Sequence, residues 1–182
     1  IFLDAYFIDR TEVTVAAYRT CVEAGGCSEP HSDYSAYRLD FEAHYLNWNR
    51  PGRDDHPMNA VSWYEADGYC RWAGRRLPTE AEWEKAARGE FGFSYPWGEA
   101  DPTCARAIID EGGDGCGHEM PWPVGSRLEG ASPYGVLDMA GNVWEWTADW
   151  YDRRFYLDAS NQNPYNVVKG ERGSKVLRGG SM

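Results

Sequence analysis

Residues 138–145 carry the residue types that bind hard divalent cations. The segment holds the carboxylates of Asp138 and Glu145, the amide of Asn142, and Gly141, which permits a tight turn. Calcium takes about six to eight oxygen ligands and mixes carboxylates with backbone carbonyls in loops of this kind. The alternative is a loop without metal, because Asn142 and Glu145 can also hydrogen-bond the backbone of a turn. We favour calcium.

The positions of the five cysteines indicate structural roles. Cys21 and Cys27 flank a short turn with two glycines, and Cys104 and Cys116 flank a glycine-rich loop. Each pair is spaced to close a local disulfide, which predicts a secreted, periplasmic or otherwise extracytoplasmic protein. Cys70 is left over on an apolar helical stripe, where we expect a buried structural thiol and not a reactive one.

Other catalytic and binding chemistry finds little support. A zinc site from Cys104, Cys116 and His118 would lack a fourth ligand with suitable spacing. The sequence contains neither a nucleophile-elbow serine nor a glycine-rich loop between a strand and a helix that would hold phosphate. The net charge of −11 argues against nucleic acid as a partner, because phosphate backbones require clustered Lys and Arg. No apolar run reaches the roughly 18 residues of a transmembrane span.

The elements that must position these residues are few. Aromatic residues make up 15% of the chain, and 20 Gly and 10 Pro are spread along it, which favours one loop-rich domain over residues 1–182. Ser62 and Thr79 are each followed three residues later by glutamate, a capping-box pattern. These boxes predict helices over residues 63–73 and 80–88. We expect the two helices to share a buried face that contains Trp63, Cys70 and Trp83.

Weaker patterns complete the element prediction. Residues 4–9, 143–150 and 175–177 have strand composition, and a helix is predicted from Thr14 to the glycines at 25 and 26. Residues 28–57 have no clear period, which predicts a long loop. The aromatic residues expected to pack that loop down are Tyr34, Tyr37, Tyr45 and Trp48.

A series of segments, in order along nearly the whole chain, resembles the formylglycine-generating, sulfatase-modifying family. The resemblance implies an irregular, C-type-lectin-like α+β fold with two helices on twisted antiparallel strands. The segments are residues 9–14 (DRTEVT), 57–63 (PMNAVSW), 76–89 (RLPTEAEWEKAARG), 96–98 (PWG), 123–126 (PVGS), 135–146 (GVLDMAGNVWEW) and 176–181 (VLRGGS).

The resemblance also implies bound structural calcium. It assigns the ligands to the side chains of Asp138 and Glu145 and to the carbonyls of Gly141 and Val143. The family's other calcium site would lie near Ala107, Ile108 and Asp114. Because Ile108 replaces an asparagine there and removes an oxygen ligand, we expect that second site to be lost.

For active members, the resemblance implies copper-dependent oxidation of a client cysteine to formylglycine. Their copper-binding cysteine pair lies shortly after the Gly-Gly-Ser step, here residues 179–181, and none of the five cysteines occupies such a position. We therefore expect residues 1–182 to stop before the catalytic cysteine segment and to contain no catalytic residue. Copper would bind only if the following sequence supplies the pair.

Two functions fit these features. The first is a formylglycine-generating enzyme that acts on a protein or peptide client. The second is a non-catalytic, calcium-stabilised module that binds a protein or a glycan, since one fold can serve both functions. Two cysteines a few residues apart in the following sequence would favour the enzyme.

Overall fold

The computed structural model describes residues 1–30, 45–110, 115–170 and 173–181, and it has the predicted α+β, loop-rich fold. Most of the described chain forms turns and loops, including a 3₁₀ turn at Leu128–Gly130. The regular elements, in chain order, are α1 (Val15–Glu23), α2 (Trp63–Trp72), α3 (Glu80–Arg88), β1 (Glu145–Trp150), α4 (Phe155–Asp158) and β2 (Lys175–Arg178). None of the helices in these ranges is long and apolar enough to cross a membrane.

The first three helices begin where side chains cap them. Thr14 accepts a hydrogen bond from the backbone N–H of Ala17, and Ser62 and Thr79 each form the complete capping box with a glutamate three residues later. Such caps satisfy backbone donors that a helix start leaves free. The helix predictions are therefore confirmed, with α2 ending one residue earlier than expected.

The sheet consists of β1 and β2 in antiparallel pairing. Glu145 lies opposite Arg178 and Trp146 opposite Leu177, with an irregular register before Trp150. Helix α3 packs on both strands, and α2 packs on β1 and on α1. The start of β1 is thus held between the helical layer and β2.

The predicted strand over residues 4–9 is wrong. These residues form no strand in the structure, because none of the described segments pairs with them along their length. The segment is attached by separate contacts: the Tyr6 hydroxyl donates to the Glu82 carbonyl at 2.8 Å, and Ile8 packs on the core. Phe7 is fully exposed. The composition of residues 4–9 is typical of a strand, but none of the described strands lies beside them.

The predicted face shared by α2 and α3 is also wrong in part. Trp83 is buried against Ala86, Ala87, Val136 and Met139, as expected for α3. Helix α2, in contrast, contains no fully buried residue, so Trp63 and Cys70 are only partly covered. The two helices meet β1 separately, and Trp63 donates its indole N–H to the Thr147 carbonyl of that strand at 2.8 Å.

A second core lies around α1 and contains Val15, Tyr18 and Met58. The Cys21–Cys27 disulfide closes the end of α1, and Cys104–Cys116 closes the second predicted loop, so both pairings are confirmed. Of the aromatic residues expected to pack the long loop, Trp48 contacts Tyr18 edge-on at 5.8 Å. Tyr34 and Tyr37 lie outside the described residues.

Candidate metal centre

The turn that leads into β1 holds all four predicted calcium ligands. Asp138 and Asn142 have left-handed backbone conformations, with φ of 59° and 61°, which Asp and Asn tolerate better than most residues. Gly141 has φ of 84°, and a Cβ there would lie 2.1 Å from the Ile108 carbonyl oxygen. Only glycine fits at this position, because both the conformation and the close approach exclude a side chain.

Two carboxylates flank this turn, and each accepts a hydrogen bond. Asp138 is buried, and its Oδ2 accepts a hydrogen bond from the Gly125 backbone N–H at 2.5 Å. Glu145 begins β1, and its Oε2 accepts from the Trp83 indole N–H at 3.1 Å. Helix α3 and residues 123–126 therefore orient the two side chains that the sequence predicted as ligands.

The space beside Gly179 receives oxygen atoms from two predicted ligands. A Cβ built on Gly179 would lie 3.4 Å from the Val143 carbonyl oxygen and 3.5 Å from Glu145 Oε1. The two oxygens thus approach the same small region, which a side chain on Gly179 would fill. A ring carbon of Trp83 lies 3.8 Å from the same point, so the space is bounded by two oxygens and an aromatic side chain.

Glu12 is part of this cluster, although the sequence did not predict it as a site residue. The Asn142 side-chain N–H₂ group donates to its two carboxylate oxygens at 3.0 and 3.3 Å. The Asp138 carboxyl group is near enough to Glu12 to raise its pKa. The sequence signal that could have pointed to Glu12 was the motif over residues 9–14, in which Glu12 directly precedes the apolar Val13.

The pKa values of Glu12 and Glu145 are both raised, because each carboxyl group is buried near other carboxyl groups. Burial raises the pKa of Glu12 well above its ordinary range, and the carboxylates of Asp138 and Glu145 raise it further. Burial likewise raises the pKa of Glu145 to about 7, against the opposing effect of the Trp83 hydrogen bond. Among the described residues, none of the salt bridges involves these three carboxyl groups.

Two of the four predicted calcium ligands, the Val143 carbonyl and the Glu145 carboxylate, bring oxygen atoms to one point in the structure. In the described part of the chain, no group of three or more His, Cys, Asp and Glu side chains is arranged to hold a metal ion. The predicted site does not need such a group, because it combines two carboxylates with two backbone carbonyls and water. Oxygen donors of this type suit calcium and do not suit metals that prefer thiolates.

The structure gives less support to the other two candidate metal sites, the zinc site and the second calcium site. The disulfide between Cys104 and Cys116 removes the thiolates that a zinc site would need, and His118 instead packs edge-on against Trp122 at 4.5 Å. For the second calcium site, Asp114 lies outside the described residues, while the buried Ile108 offers only its carbonyl oxygen. That carbonyl already accepts from the Asn142 backbone N–H at 2.8 Å.

Cys70 is the free cysteine. It is partly buried, and burial together with the nearby Asp67 and Asp9 carboxylates raises its pKa to about 11. The thiol is therefore protonated at neutral pH, which agrees with the predicted structural role.

A cavity of about 750 Å³ adjoins the acidic cluster. Glu12, Val143 and Glu145 lie in its wall, together with the N-terminal segment and the end of α2. Phe7 and Trp144 also line it, and both have large exposed surfaces. The turn therefore faces both the protein core and a space accessible to other molecules.

Comparison with known proteins identifies relatives over the whole chain. The family model of the sulfatase-modifying factor enzyme 1-like domain matches residues 1–182. A formylglycine-generating enzyme of Streptomyces coelicolor is 38% identical over 154 residues, which cover 74% of this chain and 47% of that protein. A hercynine oxygenase of Mycolicibacterium thermoresistibile is 36% identical over 200 residues, which cover 97% of this chain and 44% of that protein. This chain spans about half the length of these relatives.

A solved structure shares the fold. Variable protein 1 of Treponema denticola superimposes with a TM-score of 0.67 at 24% identity, over 98% of this chain and 74% of that one. At this level of identity the similarity establishes the fold alone.

Proposed function

Because the chain belongs to the family of sulfatase-modifying factor enzyme 1-like domains, we propose that it is part of a formylglycine-generating enzyme. In this proposal the whole protein oxidises a cysteine of a protein or peptide client to formylglycine. Two observations carry the proposal: the family model matches residues 1–182, and a formylglycine-generating enzyme is 38% identical over 154 residues. The relatives include a hercynine oxygenase, so the client cysteine is the part that needs a direct test.

Calcium has a structural role in this proposal. The side chains of Asp138 and Glu145 and the carbonyls of Gly141 and Val143 would hold it, with water at the remaining positions. A bound calcium ion neutralises negative charge at this turn. The turn precedes β1, and Glu145 is the first residue of that strand. The site therefore fixes the position at which β1 begins.

Residues 1–182 do not fit copper. Four of the five cysteines are in disulfides, and Cys70 is a single protonated thiol without a second cysteine beside it. We assign no catalytic residue within this chain. The cysteine pair required for copper-dependent oxidation lies, in this proposal, outside residues 1–182. The disulfides support an extracytoplasmic location, because such bonds persist in oxidising compartments.

The test is a conversion assay on the whole protein that contains this chain. The purified protein is supplied with copper and a thiol reductant and is incubated in air with a cysteine-containing client peptide. One atom of O2 becomes the aldehyde oxygen and the other is reduced to water by two electrons from the reductant, while the cysteine sulfur leaves as hydrogen sulfide. Mass spectrometry and capture by a hydrazide should reveal an aldehyde at the cysteine. The matched control is the same peptide with serine in place of cysteine. An unchanged thiol, in a peptide that the Streptomyces coelicolor enzyme converts, would contradict the proposal.

A binding module is the second candidate, and the exposure of Trp144 favours it. This side chain is 56% exposed on the acidic turn, and it lines the adjoining cavity. Exposed aromatic side chains beside a cavity provide a platform for a protein or a glycan. In that case Trp144→Ala should abolish binding to an immobilised ligand and leave the melting temperature unchanged. Retained binding by the variant would contradict this candidate.

A further inference from the structure

We infer that Glu12 is a positioning residue for the cation and acts through Asn142. The inference rests on the calcium site proposed above and adds to it a residue from the opposite end of the chain. Glu12 and Asn142 are 130 residues apart in sequence. Their contact joins the N-terminal segment to the ligand turn.

Asn142 is placed to control the predicted carbonyl ligand of Gly141. It lies between Gly141 and Val143, and its side chain is only 1% exposed. Its Nδ2 group donates to both oxygens of Glu12 at 3.0 and 3.3 Å and to the Trp122 carbonyl at 3.3 Å. Its Oδ1 accepts from the Trp122 backbone N–H at 2.9 Å. The side chain is therefore held from two directions.

These contacts restrict the adjacent peptide planes. The Gly141 carbonyl lies in the same peptide plane as the Asn142 N–H, so its rotation away from the cation would require Asn142 to move and would disturb the hydrogen bonds of Asn142 to Glu12 and Trp122. The Asn142 backbone is also fixed by its N–H bond to Ile108. Partners behind the direct ligands commonly orient a metal site in this way.

A hydrogen bond with a purely structural role would contribute equally with and without calcium. A positioning role predicts instead that loss of the contact between Glu12 and Asn142 mainly lowers the affinity for calcium.

The experiment compares three proteins with the full chain: wild type, Glu12→Gln and Glu12→Asp. Glutamine keeps the size and an oxygen acceptor but removes the charge, whereas aspartate keeps the charge but withdraws it from Asn142. The matched control is Glu129→Gln, which removes one charge from an exposed position. Each protein is treated with chelator, titrated with calcium by calorimetry, and melted in calcium and in chelator.

Glu12→Asp, which withdraws the acceptor from Asn142, should bind calcium about tenfold more weakly or worse, the range found when partners behind metal ligands are changed. Glu12→Gln keeps an acceptor for Asn142 and should bind calcium more tightly than Glu12→Asp. In chelator, Glu12→Asp should melt close to the wild-type temperature, while its stabilisation by calcium shrinks. The control should match wild type in both readouts. The inference is overturned if Glu12→Asp binds within twofold of wild type, or if it lowers the melting temperature equally in both conditions. If wild type itself binds no calcium, the site and the inference fail together, and the conversion assay still decides the oxidation.

Discussion

Burial and hydrogen bonding shift the pKa of the Glu145 carboxyl group in opposite directions. Burial raises its pKa to about 7, and the indole N–H of Trp83 partly offsets this increase by stabilising the charged form. A nearby divalent cation would provide the larger compensation, because it attracts the carboxylate directly. The protonation of Glu145 therefore depends on whether a cation lies in the space beside Gly179.

The first prediction is that calcium raises the melting temperature and that Glu145→Gln reduces this increase. Calcium binds the folded turn and not the unfolded chain, and at a hundredfold excess over Kd it adds about 2.7 kcal/mol. An amide oxygen carries no full charge against the ion, so the variant should gain less. Melting curves of both proteins, with calcium and with chelator, provide the measurement. Four identical midpoints would show that the turn is held by hydrogen bonds alone.

The second prediction concerns Cys70, whose pKa is raised to about 11. At pH 8 the thiolate fraction is then about one in a thousand, because each pH unit below the pKa reduces it tenfold. Iodoacetamide should therefore label native Cys70 far more slowly than the same cysteine in denaturant, and the rate should still rise between pH 8 and pH 10. A native rate equal to the denatured rate at pH 8 would show that the thiol is unprotected.

At the scale of elements, α3 is anchored by one large side chain. Trp83 is 6% exposed and packs against small residues of its own helix and against Val136 and Met139. Its indole N–H also reaches Glu145 at the start of β1. Packing of α3 and the geometry of the acidic turn are therefore connected through this residue.

The third prediction is that Trp83→Ala costs about 3–5 kcal/mol of unfolding free energy, the range for deletion of a buried large aromatic side chain. Trp144→Ala is the matched control, because that side chain is 56% exposed, and its cost should stay below about 1 kcal/mol. Urea unfolding followed by fluorescence measures both. Equal losses for the two variants would refute the packing of α3.

The fourth prediction compares two glycines that both have positive φ. Gly141→Ala places a Cβ 2.1 Å from the Ile108 carbonyl oxygen, whereas a Cβ at Gly135 meets nothing within 4 Å. Gly135→Ala should cost about 1–2 kcal/mol, from backbone conformation alone, and Gly141→Ala should cost clearly more. It should also weaken calcium binding, because the turn must shift. Equal stability and equal affinity for the two variants would show that the close approach to Ile108 is not required.

At the scale of the whole molecule, loops and turns make up most of the described structure, and covalent bonds restrain two of them. The Cys21–Cys27 bond spans 6 residues and the Cys104–Cys116 bond spans 12. Short closed loops restrict the unfolded chain less than long ones do. Each bond therefore contributes a moderate amount to the stability of a fold that has few regular elements.

The fifth prediction is that replacing either cysteine pair by alanine costs about 2–3 kcal/mol, and the 104–116 pair slightly more, by the chain-entropy estimate. Denaturant unfolding under non-reducing conditions measures both double variants. Cys70→Ala is the control, because that thiol forms no disulfide. A reducing agent that leaves the wild-type midpoint unchanged would contradict the prediction, and it would remove the support for an extracytoplasmic location.

Local signals in the sequence determined the helix starts, the two disulfides and the family. A capping box needs residues only three positions apart, and each disulfide here joins cysteines at most 12 positions apart. Such features are visible in short windows because the interacting groups are neighbours along the chain. The same locality explains why the ends of α2 and α3 were predicted within one residue.

The tertiary structure alone decided which elements meet. Residues 4–9 have strand composition but pair with no strand in the part of the chain that the structure describes. Helices α2 and α3 each pack on β1 and do not bury one common face. Glu12 joins the acidic cluster through a contact across 130 positions. Strand pairing and burial depend on groups distant in sequence, which compete for the same space during folding. No short window contains that information, because the partner lies elsewhere in the chain.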